Sequence, residues 1–434
     1  MDQHIPKLYR EYGDYSNWRN LPYALDGLKP VERRVLYAAY KIARQKFVKS
    51  RRVDSHTTGR YHPHGECYGT VVQLVRQGFL IGQGNFGLSI GTDVVGAAAS
   101  RYTECRMSQR TVDMMFKYIK HVPYVDTELQ DIEPLYLPTM FPVCLMGNRY
   151  TEGIGFGYKT YVPCFMVNDL YQRLLWLLKV RKRKPIIAPI TDCNILSPSS
   201  VLEELMTTGK AKIDVEGIME INNINNTVIL RSWPPGKKFE TLLKKFSKEL
   251  NENMIGYTDL SETSTEIEFE VLRERNRDKI FKAFVSKLQE LIKGTISFES
   301  VLIDENRKVI HKPIDDMLLE TYKMFCETNE KMLNYEISHL KEVIFEYNKL
   351  EQIKPSLSKC LKDDLSINET IDIISKETKI PKKEISMLID KYKIKKLLTI
   401  NTDTSKLEEQ VNENHSHLAN LDTFVLGQYR NTIK

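Results

Sequence analysis

The chain has 434 residues, 41% apolar and 28% charged, a formal net charge of +6 and seven cysteines. That length exceeds one compact core and, at about 150 residues per domain, implies about three; no apolar run approaches the roughly 18 residues of a membrane span, and MDQHIPKLYREYGDY at the start has no apolar segment of the secretory kind. The cysteines form no CxxC pair, which argues against a zinc ribbon or disulfide framework and for reduced thiols in the cytoplasm.

In chain order, DGLKPVERRVLYAAYKIARQKFV (26–48) predicts a turn and then a helix. Pro30 suits a first helical position, and Val31, Val35, Leu36, Ala39, Ile42 and Ala43 recur at three-to-four spacing. From Lys29 to Arg60, ten basic residues stand against Glu32 and Asp54, a surplus that suits either a solvated basic face or a polyanion such as nucleic acid. A short helix is expected at 51–58 and another in GECYGTVVQLVRQ after His64. Helix, short helix, glycine-bearing turn and helix is the helix-turn-helix order, whose last helix normally faces a DNA groove. FLIGQGNFGLSI then predicts short extended segments with tight turns, as a wing requires. In GAAASRYTE (96–104), three alanines leave room for a bulky partner beside Arg101 and Tyr102. The segment is either a reactive centre presented to a large substrate or an ordinary helix start.

From 140 to 312 strands and helices alternate. VCLMG, GIGFGY, GIMEI, NTVILRSW, TEIEFEVL and ISFESVLI are the expected strands, with helices near 167–180, 239–251 and 277–292. After Pro313 glycine is absent until Gly427, and Leu333, Ile337, Leu340, Ile344 and Tyr347 form a seam suited to an antiparallel pair or coiled coil, or to a plain helical bundle. One helix should travel out, a small globule should form around 350–385, and another helix should return.

Three motifs match familiar patterns by letter only. GQGNFG (82–87) fits a dinucleotide fingerprint, but LSIGTDVVG after it is a poor helix opening. GFGYKT (155–160) has Tyr158 where a phosphate-cradling loop needs glycine. His62 and His64 in HPHG have no second ligand pair nearby, which disfavours a metal.

Three segments in fixed order resemble the DNA-cleaving A subunit of type IIA topoisomerases, the family of gyrase and topoisomerase IV: RNLPYALDGLKPVERRVLY (19–37), GRYHPHG (59–65) and GQGNFGLSIGTDVVGAAASRYTE (82–104). A fourth, EGIGFGYKTYVP (152–163), is similar to that family's strand carrying the DNA-bending isoleucine, here Ile154. The resemblance implies a multidomain α+β fold: a winged-helix breakage-reunion domain at 1–139, a mixed α/β tower domain at 140–312, and a coiled-coil and helical dimerisation domain at 313–434. It implies Tyr102 as nucleophile, forming a transient 5′-phosphotyrosine ester, with Arg101, Arg19 and His62 around the same phosphate. Lys29, Arg33, Arg34 and His64 become DNA contacts. A tyrosine hydroxyl of ordinary pKa, near 10, is only about one part in a thousand ionised at neutral pH, so adjacent positive charge such as Arg101 favours both the phenolate and a phosphoryl oxyanion.

No D-x-D cluster with the glutamate-glycine segment of a Toprim fold, and no ATP-binding domain, is found in the sequence. The resemblance therefore implies no metal in this chain, with Mg²⁺ and ATP both bound by a Toprim/ATPase B-type partner in an A2B2 assembly. The other expected partners are double-stranded DNA and a second copy through the helical tail, in the cytoplasm, of a host cell if the source is a phage or virus. There are departures. Glu32 replaces the family's usual histidine in KPVxRR, and GECYGT is two residues short, so Cys67 falls near the serine that contacts quinolones. The absence of a β-propeller after the tail points to a relaxing or decatenating enzyme. Rival readings are a non-catalytic winged-helix DNA-binding or bending protein, and a tyrosine recombinase, in which the tyrosine should be C-terminal.

Overall fold

The computed structural model describes residues 4–273, 275–363 and 365–433. The chain divides into two units, Met1–Phe325 with Tyr429–Lys434, and Cys326–Gln428.

In the first unit, α1 (His4–Asn20) is followed by Leu21, which is fully buried with Val301 and Ile303. Helix α2 (Pro30–Ile42) begins at a proline that has no N–H to satisfy, and the Glu32 carboxylate accepts the Lys29 N–H at 2.9 Å. This explains the acid in KPVERR: it caps its own helix. Val35, Leu36, Ala38 and Ala39 have no exposure, so the apolar stripe is the core face. Next come β1 (Val48–Lys49), α3 (Ser50–Arg60), α4 (Tyr68–Arg76), β2 (Leu80–Gln83), β3 (Leu88–Ile90), β4 (Asp93–Val95) and β5 (Glu104–Met107). Helices α2, α3 and α4 pack on one another. Strand β5 is the centre of an antiparallel sheet, β1-β5-β2, with Cys105 opposite both Val48 and Gly82. Strands β3 and β4 form a separate hairpin. Its tip is held at a distance in sequence: Thr92 donates N–H and Oγ1 to Asp259 Oδ2 at 2.7 and 2.5 Å.

Helix α5 (Gln109–Met115) is capped by Ser108, and β6 (Tyr124–Asp126) pairs with β7 (Ile132–Pro134). VCLMG, expected as a strand, is instead a 3-10 turn at Val143–Leu145. The reason lies in its partners. Val143 N–H goes to Asp26 O at 2.8 Å and Leu145 N–H returns to Pro142 O at 2.9 Å, so no neighbouring strand is engaged. Gly27, at φ +71°, permits the approach, since a Cβ there would lie 2.7 Å from Val143 N.

The mixed region holds β8 (Thr151–Ile154), β9 (Lys159–Val162), α6 (Val167–Leu177), β10 (Asn194–Ile195), α7 (Ser199–Thr208), β11 (Lys210–Glu216), β12 (Met219–Asn222), β13 (Thr227–Leu230), α8 (Phe239–Lys244), α9 (Ser247–Asn251), β14 (Ile255–Asp259), β15 (Ile267–Val271), α10 (Arg277–Leu291), β16 (Lys293–Glu299), β17 (Val301–Ile303) and β18 (Val309–His311). They build a five-stranded sheet, β10-β11-β16-β9-β8, and a four-stranded sheet, β12-β13-β15-β14. Alternation decides the faces. In β11, Ala211, Ile213 and Val215 point inward, while Val228, Leu230, Ile267, Phe269 and Val271 of the second sheet pack with Phe281, Phe284 and Leu288 of α10. Arg173, with no exposure, links α6 to α7 through Glu203 and to the start of α11 (Ile314–Lys362) through Asp315, each bound by two N–H groups at 2.7–2.9 Å.

The second unit is helical. It takes α11 (Ile314–Lys362) from Cys326 onward, α12 (Ile367–Thr378), capped by Ser366 and Glu369, α13 (Lys382–Tyr392), α14 (Ile394–Thr399), α15 (Ser405–Ala419) and α16 (Leu421–Ile433) up to Gln428. The expected globule is larger than 350–385, because α14 adds Leu397 to the core of Leu350, Ile353, Leu357, Ile374 and Ile385. Leu333 and Ile337 of the seam are buried, and Leu340, Ile344 and Tyr347 are half-buried. The returning helices run antiparallel to α11, with Asn414 bonded to Glu336 at 3.3 Å and Gln428 to Asn329 at 2.7 Å.

Candidate active site

Residues 96–103 form no helix. The segment turns, with Tyr102 N–H on Ala99 O at 2.8 Å, and leads directly into β5. Tyr102 is 65% exposed, unusual for a large aromatic, and the Arg101 guanidinium lies 4.5 Å over its ring. Beneath them the turn is fastened. Thr103 has no exposure, its Oγ1 donates to Ser50 Oγ at 2.8 Å, and its carbonyl accepts the Ser50 N–H at 2.9 Å. The Tyr68 hydroxyl, on the first residue of α4, donates to Ala98 O at 2.5 Å and lies 3.0 Å from Thr103 Oγ1. Helices α3 and α4 thus hold out a phenol on a rigid base.

A second cluster gathers around HPHG. The His62 and Tyr61 N–H groups share Thr57 O at 2.9 Å, which sets the loop. His62 is 7% exposed and its Nδ1 lies 3.1 Å from Arg34 Nη1. Burial, then the charges of Arg34, His64 and Arg19, push its pKa down to about 4, so the ring is neutral at physiological pH. His64 stands edge-on to His62, with ring centres 5.1 Å apart, bonds the Tyr15 hydroxyl at 2.5 Å and lies 3.6 Å from Glu128. Arg19, half-buried at the end of α1, rests over Tyr15 at 5.6 Å. Among the described residues no hydrogen bond, ion pair or ring contact joins this cluster to Arg101 and Tyr102.

Arg33 and Arg34, expected at DNA, are placed inside the protein. Arg33 is 8% exposed and grips Asp26, which has no exposure, through Nε at 2.7 Å and Nη2 at 2.9 Å. Arg34 is 3% exposed and grips Glu133 through Nε and Nη2, both at 2.8 Å. The sequence shows two cations; the fold supplies a carboxylate for each. Lys29 is half-buried and donates to Glu152 O at 2.5 Å, which ties the start of α2 to β8. Ile154, at the end of β8, is 74% exposed. Its hairpin is braced from α1, where Asn17 Oδ1 accepts the Phe156 N–H at 2.6 Å and Tyr9 meets the Phe156 ring edge-on at 5.4 Å.

Cys67 is buried, its N–H held by Asp54 at 2.7 Å, and burial followed by the Asp54 charge raises its thiol pKa to about 12. No polar side chain is offered from that position. Sequence reasoning did not single out Tyr15, the Ser50–Thr103 pair or the fastening role of Tyr68. Their partners are 30 to 53 residues away, and no local pattern marks them. Among the described residues no group of three or more His, Cys, Asp or Glu is arranged to hold a metal ion, and no helix is long and apolar enough to cross a membrane.

A family model that describes the A subunits of DNA gyrase and topoisomerase IV matches residues 19–429. The A subunit of DNA topoisomerase 4 from Neisseria gonorrhoeae is 26% identical over 98% of this chain and 60% of its own length. The A subunit of DNA gyrase from Mycolicibacterium smegmatis is 28% identical over 67% of this chain and 37% of its own. That of Aminobacterium colombiense is 31% identical over 63% and 36%. The chain spans less than two thirds of the length of each of these relatives.

Proposed function

The chain belongs to the family of DNA gyrase and topoisomerase IV A subunits, and from that premise we propose that it is the DNA-cleaving component of a type IIA topoisomerase. The observation that carries the reading is the exposed Tyr102, stacked under Arg101 and fastened by buried Thr103. Tyr102 Oη attacks a backbone phosphorus. The phenolic proton leaves to solvent, the bond to the 3′ oxygen breaks, and that oxygen takes up a proton as the free 3′ hydroxyl. The new tyrosyl ester holds the 5′ phosphate, and attack by the 3′ hydroxyl reverses the step with no external energy. Arg101 and Arg19 offset charge on the phosphoryl oxygens, and His62 contributes an N–H to them. Lys29 and His64 contact the flanking backbone.

Around this centre, α2, α3, α4 and the β1-β5-β2 sheet serve as the winged-helix part, the two larger sheets as the tower, and the helices after 313 as a coiled-coil arm through which two copies dimerise. Ile154 wedges between base steps and kinks the duplex, at an unstacking cost of a few kcal/mol that wider contact offsets. Mg²⁺ and ATP are assigned to a Toprim/ATPase B-type partner in an A2B2 assembly. A metal there would neutralise phosphoryl charge.

The deciding experiment mixes the chain with plasmid DNA and a candidate Toprim/ATPase partner, then traps covalent complex with detergent. Wild type should yield protein-linked DNA, and Tyr102→Phe should bind DNA equally and yield none. Linkage surviving in Tyr102→Phe would remove Tyr102 as the nucleophile, and no linkage in wild type would leave a protein that merely binds DNA.

A further inference from the structure

We propose that Arg34, clasped by Glu133, is a positioning residue that fixes the tautomer of His62, so that this imidazole serves the phosphate as an Nε2–H donor and not as the base that takes the tyrosine proton. The inference rests on the cleavage reading above. A guanidinium has five N–H donors and no acceptor. The 3.1 Å approach of Arg34 Nη1 to His62 Nδ1 is therefore a hydrogen bond only when Nδ1 presents its lone pair. A neutral imidazole with its lone pair on Nδ1 carries its proton on Nε2.

The guanidinium has little freedom to do otherwise. Glu133 takes Nε and Nη2 at 2.8 Å each, the Trp18 ring lies 5.8 Å away, and Nη1 is left to face the histidine. The histidine is equally constrained, its backbone hung from Thr57 O at 2.9 Å. The charged and titratable groups facing it are Arg34 from α2, Arg19 from α1 and His64 from its own loop. All three oppose a second proton on the ring. Among the described residues no acceptor is bonded to Nε2, so this N–H remains available to a ligand. The buried arginine that a basic run suggests as a DNA contact acts on DNA through its neighbour.

The first test needs no activity. Full-length chain labelled with ¹⁵N in its histidines is followed by long-range ¹H–¹⁵N correlation from pH 5 to 8, with His62 assigned by its loss in His62→Gln. Nδ1 should show the shift of an unprotonated ring nitrogen and Nε2 that of a protonated one throughout. In Arg34→Met the preference should relax and the ring should titrate closer to the ordinary value near 6.5. Protonated Nδ1 in the wild type, or no change in Arg34→Met, overturns the proposal. The second test separates donor from base. Gln at 62 keeps an N–H donor near Nε2 but is no base, so His62→Gln should retain cleavage within about tenfold of wild type, against a loss of about ten- to a hundredfold in His62→Ala. Equal losses in the two overturn the donor role. Tyr102→Phe run alongside judges the cleavage reading by itself, because the tautomer measurement stands whatever that variant does.

Discussion

Two arginines adjacent in sequence have distinct duties. Arg33 neutralises Asp26, whose carboxylate also accepts the N–H groups of Leu28 at 3.1 Å and Leu137 at 3.0 Å. Truncating Arg33 leaves that carboxylate buried and unpaired, a change that costs about 3–5 kcal/mol. Arg33→Ala should therefore lower the urea midpoint of the first unit's unfolding transition by a corresponding amount, and an unchanged midpoint would show that water can replace the guanidinium. His62 sets a pH dependence of definite sign. Its folded pKa, about 4, is below the unfolded value near 6.5, so between these pH values the unfolded chain binds a proton that the folded chain refuses. Stability from this group is complete above about pH 6.5, falls as pH drops towards 4, and amounts to about 3 kcal/mol. His62→Gln should flatten the curve of stability against pH in that window, measured as unfolding midpoints at stepped pH; an unaltered slope would assign the effect to other groups.

At the scale of elements, the β3-β4 hairpin is a strut between the tyrosine-bearing turn and the four-stranded sheet. Its tip rests on Asp259. Although burial works to raise that carboxyl's pKa, hydrogen bonds from Ser261 and Thr92 hold it at about 2, so it accepts as a carboxylate across the physiological range. Gly91 adds an N–H to Thr265 Oγ1 at 3.2 Å. Asp259→Ala should release the tip, and the Thr92 amide should exchange with solvent at least about tenfold faster, with little change in the helical unit. Protection retained at Thr92 would show that β3-β4 pairing alone holds the tip. The β8-β9 hairpin is braced in a similar way by Asn17 of α1, which keeps Ile154 outward while Thr151 and Thr160 of the same hairpin are buried.

For the whole molecule, the proposed cleavage reading has the exposed Ile154 and the exposed Tyr102 act on one duplex. If the duplex must be kinked to seat a phosphate at the tyrosine, losing the wedge weakens both effects. Ile154→Ala should reduce bending, read as the end-to-end distance of a doubly labelled duplex by fluorescence transfer, and reduce trapped cleavage in parallel. Bending that stays at the wild-type value would make Ile154 an ordinary surface residue. Folding stability should be untouched, because a side chain already 74% exposed gains little from burial.

The sequence alone determined what depends on nearest neighbours and short periods. The proline start and apolar stripe of α2, the inward alternation of β15 within TEIEFEVL and the long helix after Pro313 all follow from three-to-four or two-residue spacing. The segments around Tyr102 and HPHG were legible as motifs, and it was their resemblance to a family that implied a chemistry for them. Tertiary structure decided where charge goes. Ten cations in a row of thirty-two residues look like one surface, but Asp26 in the turn just before α2 and Glu133 from a distant segment draw Arg33 and Arg34 inside. It also decided that VCLMG is a turn, because Asp26 O and a side-chain-free Gly27 lie opposite it. An ion pair or a close approach across a hundred residues has no periodicity to betray it. Only the folded chain shows that Arg33 and Arg34 are taken up by carboxylates while Arg101 lies over an exposed ring.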